Sequence, residues 1–454
     1  MKTHPHPITQ RDLNRLAVPA IISGIAEPVI SLMDTAFVGR LQDPAALGAV
    51  GIGSSFFLLV LWVLAQTRSA VLAVVARYYG EERVDEVKGL VPIATWTNIG
   101  LGVVFLSITY PLAERIFGLY NAEGRLLADA CAYFRIRCFG FPIALAVFAL
   151  TGAFRGLQNL RWSMWISLTG AAVNLVLNPL LIFGYGPVKG MGIEGSALAS
   201  VIAQVAMLIA CVVVLRSRTP FTFWPATWKH PEFVPLMRNS GQLFARTIAL
   251  NVCYYLGNRF ATGYGTATIA AHSIAMQIWL FSAFFIDGYA AAGSVVAGRL
   301  NGARDWKQLY RVSWQVTRMT IYIGTALAVI YAIGYSSIGG LFTGDAEVLA
   351  LFHGVFWMVV ITQPINAVAF AFDGIYKGLA HGEVLRNVLL VATFLVFVPV
   401  IWAGDALGWG LHAVWAAFLA WMAVRSVLLA LDFRRHYGPL AQGMREVPYP
   451  PSLR

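Results

Sequence analysis

Apolar runs close to the 20 residues that a helix needs to cross about 30 Å of hydrocarbon recur along the whole chain. They predict twelve transmembrane helices, at 13–39, 47–76, 92–117, 126–154, 161–184, 192–216, 239–263, 268–298, 312–336, 347–376, 385–403 and 408–432. Many of these runs contain Gly and Pro, which membrane helices tolerate because neighbouring helices and polar side chains satisfy the freed backbone groups. Composition agrees with the pattern. Of 454 residues, 58% are apolar and 12% charged, against roughly 25% charged in a soluble domain. A soluble chain must turn a polar exterior to water, and a lipid exterior removes that demand. The class is an all-α polytopic membrane protein.

A net charge of +11 would suit a nucleic-acid partner, but the charges are placed otherwise. With the N-terminus inside, most Lys and Arg fall in the termini and in every second connection, as with Arg77, Arg83 and Lys88, then Arg216, Arg218, Lys229 and Arg238, then Arg299, Arg304, Lys307 and Arg311. The positive-inside rule then puts both termini in the cytoplasm. No nucleic-acid partner is expected; the lipid bilayer is. Residues 1–12 are polar, and the first apolar run is too long for a cleaved signal and lacks a small-residue cleavage site. Cys131, Cys138, Cys211 and Cys253 all fall in or beside spans. The first two would stand about 10 Å apart on a regular helix, too far to bridge. No metal or other cofactor is expected.

The two halves match at a constant offset of 222 residues. Arg77-Tyr78-Tyr79-Gly80 answers to Arg299-Leu300-Asn301-Gly302, Pro142 to Pro364, Gly152 to Gly374, and Arg155-Gly156-Leu157 to Lys377-Gly378-Leu379. Such a series in order indicates a duplication. Six spans per half is an even number, so both copies insert in the same direction. The expected plan is two six-helix bundles related by a parallel internal repeat: 1–216, a cytoplasmic linker at 217–238, 239–432, and a tail at 433–454. Duplication favours a carrier that works as a monomer on small-molecule substrates. No GxxxxGK[ST] phosphate cradle is present, so an ion gradient is the expected driving force.

Charges at membrane depth cost at least about 2.5–3.5 kcal/mol on insertion scales, which makes each a functional candidate. They are Glu27, Asp34, Arg68, Arg246, Asp287 and Asp373. Asp34 lies deep in span 1 beyond Pro19 and Pro28, residues expected to kink the helix. Glu27, seven residues earlier, shares its face. Desolvation favours proton uptake by a carboxylate at such a place; an ion pair with Arg68 or Arg246 is the structural alternative. Span 5 carries Asn174 and Asn178 one turn apart before Pro179, and span 6 carries Ser196 and Ser200. These side chains suit either a polar pocket around Asp34 or ordinary interhelical hydrogen bonding. Met33, Phe281, Phe284 and Tyr289 are candidates for a greasy cavity wall. Asp287 and Asp373, each followed by Gly, are candidates for shaping the second lobe, with Asp373 also able to pair with Lys377 one turn on. The scattered histidines have no ligand spacing.

Leu16-Ala17-Val18-Pro19 followed by Leu32-Met33-Asp34-Thr35-Ala36-Phe37-Val38-Gly39 resembles the opening of multidrug and toxic-compound extrusion (MATE) transporters. Asn174-Leu175-Val176-Leu177-Asn178-Pro179 and Gly195-Ser196-Ala197-Leu198-Ala199-Ser200 resemble their span-5 and span-6 motifs. Arg246-Thr247, Phe285-Ile286-Asp287-Gly288-Tyr289-Ala290, and Phe372-Asp373-Gly374-Ile375 with Arg386-Asn387 resemble the DNA-damage-inducible F (DinF) branch. The resemblance covers about residues 13–432. It implies an antiporter of the inner or plasma membrane, coupled to protons or sodium, that exports amphipathic and often cationic drugs. Its cation site would fall on Asp34, Asn174, Asn178 and Ser200. Two departures stand out: Asn178 replaces a common Asp, and Ser200 a common Thr. Asp34 is then the pocket's one acid unless Glu27 turns towards it, which favours protons over sodium. Two alternatives carry forward: a flippase for lipid-linked saccharide, and a carrier dedicated to one natural metabolite.

Overall fold

The computed structural model describes residues 7–41, 43–120 and 122–444. Twelve long helical segments run through them. They are α1 (Gln10–Gly39), α2 (Ala45–Gly80), α3 (Val84–Thr109), α4 (Gly124–Arg137 and Gly140–Gly156), α5 (Leu160–Phe183) and α6 (Gly192–Arg218). The second series is α7 (Phe233–Gly263), α8 (Thr266–Gly302), α9 (Trp306–Ile333), α10 (Ala346–Gly378), α11 (Gly382–Ala406) and α12 (Leu411–Ala441). Ten of these are long and apolar enough to cross a membrane when α4, bent by 44° at its break, counts as one span. The other two, α1 and α7, have 30 and 31 residues but carry ionisable side chains along their length. The helix of α1 continues through Pro19 and Pro28 without a break. A two-stranded hairpin, β1 (Gly184–Tyr185) with β2 (Val188–Lys189), joins α5 to α6.

Local chemistry sets several of the ends. Asp43 caps α2, its carboxylate accepting from the amides of Ala45 (3.1 Å) and Ala46 (3.3 Å) and pairing with Arg125. These bonds, the Ala46 amide first, hold the half-buried Asp43 carboxyl below the usual carboxylate range. Within α11, Thr393–Phe397 forms one π turn just before Pro399, whose missing N–H cannot continue the regular ladder.

The chain divides into two compact units, Ile22–Met237 on one hand and Met1–Ile21 with Arg238–Arg454 on the other. The expected first bundle, 1–216, thus differs at its start, because the beginning of α1 packs with the second half. Ile8 donates its N–H to Gln308 Oε1 (2.9 Å), Gln315 Nε2 donates to Gln10 Oε1 (2.8 Å), and Leu13 and Ala17 are buried in that unit's core. The segment after α6 packs on the first unit, where Trp224 stacks on Trp96 (4.6 Å) and Glu232 pairs with Arg77 (2.7 Å).

The repeat is written into the backbone. Among the described residues the non-glycine positions with positive φ are Glu82 (61°), Arg304 (54°), Gln158 (63°) and Ala380 (62°), two pairs at the 222-residue offset. Each ends a helix with the same six-residue closure. Arg83 N–H reaches Tyr78 C=O (2.9 Å) and Asp305 N–H reaches Leu300 C=O (3.1 Å); Asn159 reaches Phe154 (3.1 Å) and His381 reaches Tyr376 (3.1 Å). Helix contacts repeat as well. Gly152 of α4 leaves no room for a Cβ against the carbonyl of Arg68 on α2 (2.5 Å), and Gly374 of α10 stands likewise against that of Ala290 on α8. One turn on, Gly156 faces Leu72 and Gly378 faces Ser294.

Candidate functional site

The polar residues of α1, α5 and α6 converge inside the first unit. Asp34 is 5% exposed. Its Oδ1 accepts from Asn178 Nδ2 (2.6 Å) and Asn174 Nδ2 (3.2 Å), and its Oδ2 accepts from Ser200 Oγ (2.9 Å). Asn178 Nδ2 also donates to Asn174 Oδ1 (2.9 Å), and Asn174 Nδ2 to Ser200 Oγ (3.1 Å). The helical period puts Asn174 and Asn178 one above the other. Gly195 lets α6 approach the backbone of α5 at Leu181 more closely than any side chain would allow, which brings Ser200 to the carboxylate. Asn178 Oδ1 and Ser196 Oγ are buried without a partner among the described residues.

One side of Asp34 opens on a cavity whose wall includes Ser54, Phe57, Tyr133, Arg137, Phe148 and Gln204. Arg137 does not pair with Asp34, but its charge acts on that carboxylate through space. Its guanidinium lies 3.8 Å over the Phe57 ring. Arg68, the other cation on this side, is half-buried 5.0 Å over the Phe148 ring. Asp34 is therefore ligated by neutral donors alone among the described residues, and neither Arg68 nor Arg246 forms the ion pair weighed as its structural alternative.

The remaining candidates scatter. The side chains of Glu27 and Pro28 lie outside the described residues, and Met33 is half-buried. Arg246 belongs to a cluster in the second unit: Asp373 pairs with Arg246 (2.6 Å) and Lys377 (2.6 Å), with Arg425 at 3.6 Å. Asp287 is exposed and makes no hydrogen bond or ion pair among the described residues. Phe281 is 53% exposed and meets Phe285 edge-on at 5.2 Å, and Phe284 is half-buried. Tyr289 is buried: it donates to Asn14 Oδ1 (2.8 Å) and accepts from Gln10 at the start of α1. Sequence reasoning passed over Arg137 and Arg425. Both fall inside expected spans, 126–154 and 408–432, so a sweep of every charge within those bounds finds them.

The sequence pattern of the MatE family matches the chain twice, at residues 19–180 and 243–403. Protein DETOXIFICATION 44, chloroplastic, of Arabidopsis thaliana is 28% identical over 445 residues, covering 94% of this chain and 83% of that protein. DNA damage-inducible protein F of Escherichia coli (strain K12) is 25% identical over 437 residues, covering 94% and 93%. The fold superposes on a crystal structure of MATE in the bent conformation with a TM-score of 0.87 at 20% identity, covering 96% and 97% of the two chains. Two matched segments, one in each half, and a shared fold over nearly the whole length make this chain a member of the MatE family of multidrug efflux transporters, an integral membrane protein with a DinF-like sequence.

Proposed function

We propose that the chain is a proton-coupled antiporter that exports amphipathic organic molecules, often cationic, and that Asp34 carries the coupling proton. The observation that supports this reading is the donor set around Asp34: two amides and one hydroxyl, all neutral, within 3.2 Å. Burying a carboxylate costs several kcal/mol, while each hydrogen bond to a charged group contributes about 1.5–3 kcal/mol. Three such bonds come close to balancing that cost, so both protonation states are within reach. Ser200 can serve both states, since a hydroxyl donates to a carboxylate oxygen and accepts from a protonated one. The amide N–H groups can only donate, which assigns the proton to Oδ2 and leaves Oδ1 with Asn174 and Asn178.

In this reading proton entry removes the charge that attracts a cationic solute, and the solute leaves. Removal of that charge also changes which packing of α1 against α5 and α6 is preferred, the kind of two-state bias on which alternating access rests. The protein acts as a monomer in the inner or plasma membrane with both termini in the cytoplasm, and it needs no bound cofactor. The test uses proteoliposomes with imposed gradients. Efflux of a cationic dye should follow the pH gradient in the native protein and be lost in Asp34→Asn. Efflux that follows a sodium gradient at constant pH would transfer the role to sodium, with the unpartnered Asn178 Oδ1 among its ligands.

A further inference from the structure

We infer that the ion cluster of the second unit is an anion site, in which one chloride-sized monovalent anion is held between the guanidinium groups of Arg246 and Arg425. The cluster draws on three helices: Arg246 comes from α7, Asp373 and Lys377 from α10, and Arg425 from α12. Three cations share one carboxylate. Asp373 Oδ1 accepts from Arg246 Nη2 (2.6 Å) and stands 3.6 Å from Arg425 Nη2, and its Oδ2 pairs with Lys377 (2.6 Å). The two guanidinium groups thus reach for the same oxygen, near enough for their charges to act on each other. Both side chains are buried, at 7% and 2% exposure.

Their hydrogen bonding is far from complete. A guanidinium carries five N–H donors. Among the described residues Arg246 uses one, on Asp373, and its Nε is buried without a partner. Arg425 also uses one, from Nη1 to the thioether sulfur of Met422 (3.3 Å), a weak acceptor. Its guanidinium carbon lies 4.7 Å from the centre of the Trp421 ring. Tyr254, two turns after Arg246 on α7, makes no hydrogen bond among the described residues, and both cations act on it through space. Its hydroxyl adds one more donor. Unmet donors on buried cations are costly, and the acceptor they call for is an anion. Asp287 acts on the cluster through space but bonds to none of it. Counting Asp287, three cations still face two carboxylates, so a single negative charge balances the group and a divalent anion overshoots. Chloride takes the space of one atom among buried side chains. It also accepts hydrogen bonds from every direction, as two guanidinium forks and a hydroxyl on different helices require. The site lies within the second unit and is independent of the coupling chemistry at Asp34.

The test follows the unfolding midpoint of the purified full-length protein, by size exclusion after heating, as chloride replaces gluconate at constant sodium, pH and ionic strength. Chloride and bromide should each raise the midpoint by about 2 °C or more and do so saturably, as binding to the folded state alone requires. Arg425→Met should remove the response. Arg425→Lys, which keeps the charge but has three donors in place of five, should move half-saturation severalfold higher. Asp287→Asn, which removes a nearby negative charge, should move half-saturation lower. Where Arg425→Met folds poorly, bromide located by anomalous scattering in crystals of the native protein takes its place, with a peak expected within hydrogen-bonding distance of both guanidinium groups. A midpoint indifferent to chloride, a response unchanged in Arg425→Met, or no bromide at the cluster overturns the assignment. So does stabilisation by acetate where chloride and bromide have no effect, since that selects a carboxylate. An Asp287→Asn variant that loses both stability and the chloride response would make Asp287 the cluster's second counter-ion, and it too overturns the assignment.

Discussion

Gln158 and Ala380 stand 222 residues apart and adopt one backbone conformation, φ 63° and 62°, at the end of equivalent helices. Helix ends of this kind ordinarily take glycine, because a Cβ crowds the neighbouring carbonyl in the left-handed region at about 1–2 kcal/mol. Ala380 has no side-chain interaction to offset that strain. Ala380→Gly should therefore raise stability by about 0.5–1 kcal/mol after glycine's own entropy is counted, and Ala380→Val should lower it. The midpoint of thermal unfolding in detergent, followed by size exclusion, measures both; a lower midpoint for the glycine variant would falsify the strain account.

Asp34→Asn should reduce pH-gradient-driven efflux by tenfold or more while the protein still folds, since an amide keeps the shape of the side chain and cannot carry the proton. Asn178→Asp should add a second acid to the pocket and introduce a response to sodium, a hard cation that favours carboxylate oxygens. Transport assays that vary pH and sodium independently read both effects. A sodium response unchanged by Asn178→Asp would count against the charge argument.

The second unit's ion cluster should behave as structure. Asp373 and Arg246 have side chains 3% and 7% exposed, whereas Lys377 is 23% exposed. Asp373→Asn leaves Arg246 and Arg425 without their anion, a loss of about 3–5 kcal/mol for a broken buried pair. Lys377→Met should cost much less. Yield of monodisperse protein and thermal midpoint should fall in that order, and a well-folded Asp373→Asn with defective efflux would instead assign the carboxylate a transport role.

Gly378→Ala should be among the most damaging single-methyl changes in the chain, because its Cβ would collide with the backbone of Ser294, which cannot move aside as a side chain can. Gly241→Ala, with nothing within 4 Å of the new methyl, is the matched control on another helix and should gain from better helix propensity. Expression and melting of the two variants, compared side by side, check the contrast.

Most of the helices were legible because each crossing demands an uninterrupted apolar run, and the duplication was legible because close-packed glycines cannot vary freely. The quartet at Asp34 came chiefly from motif resemblance; spacing alone put Asn174 and Asn178 on one face without saying what that face meets. Contacts between distant segments stayed hidden. Nothing near Asp373 in the chain points to Arg246, 127 residues away, and nothing near Tyr289 announces Asn14, 275 residues away. Arg137 was hidden differently, inside a span whose apolar neighbours dominate any averaged reading.

The start of α1 has a bearing on how this chain can be taken apart. Its residues up to Ile21 cluster with the second half, and the rest of the same helix clusters with the first. A gene cut in the segment after α6 would produce a C-terminal fragment missing Ile8, Leu13 and Ala17 from its own core. Although the two halves repeat one plan, the second completes its core with residues from the start of the chain. A split version that returns residues 7–21 to the second fragment as a separate peptide should recover folding that the bare fragment lacks.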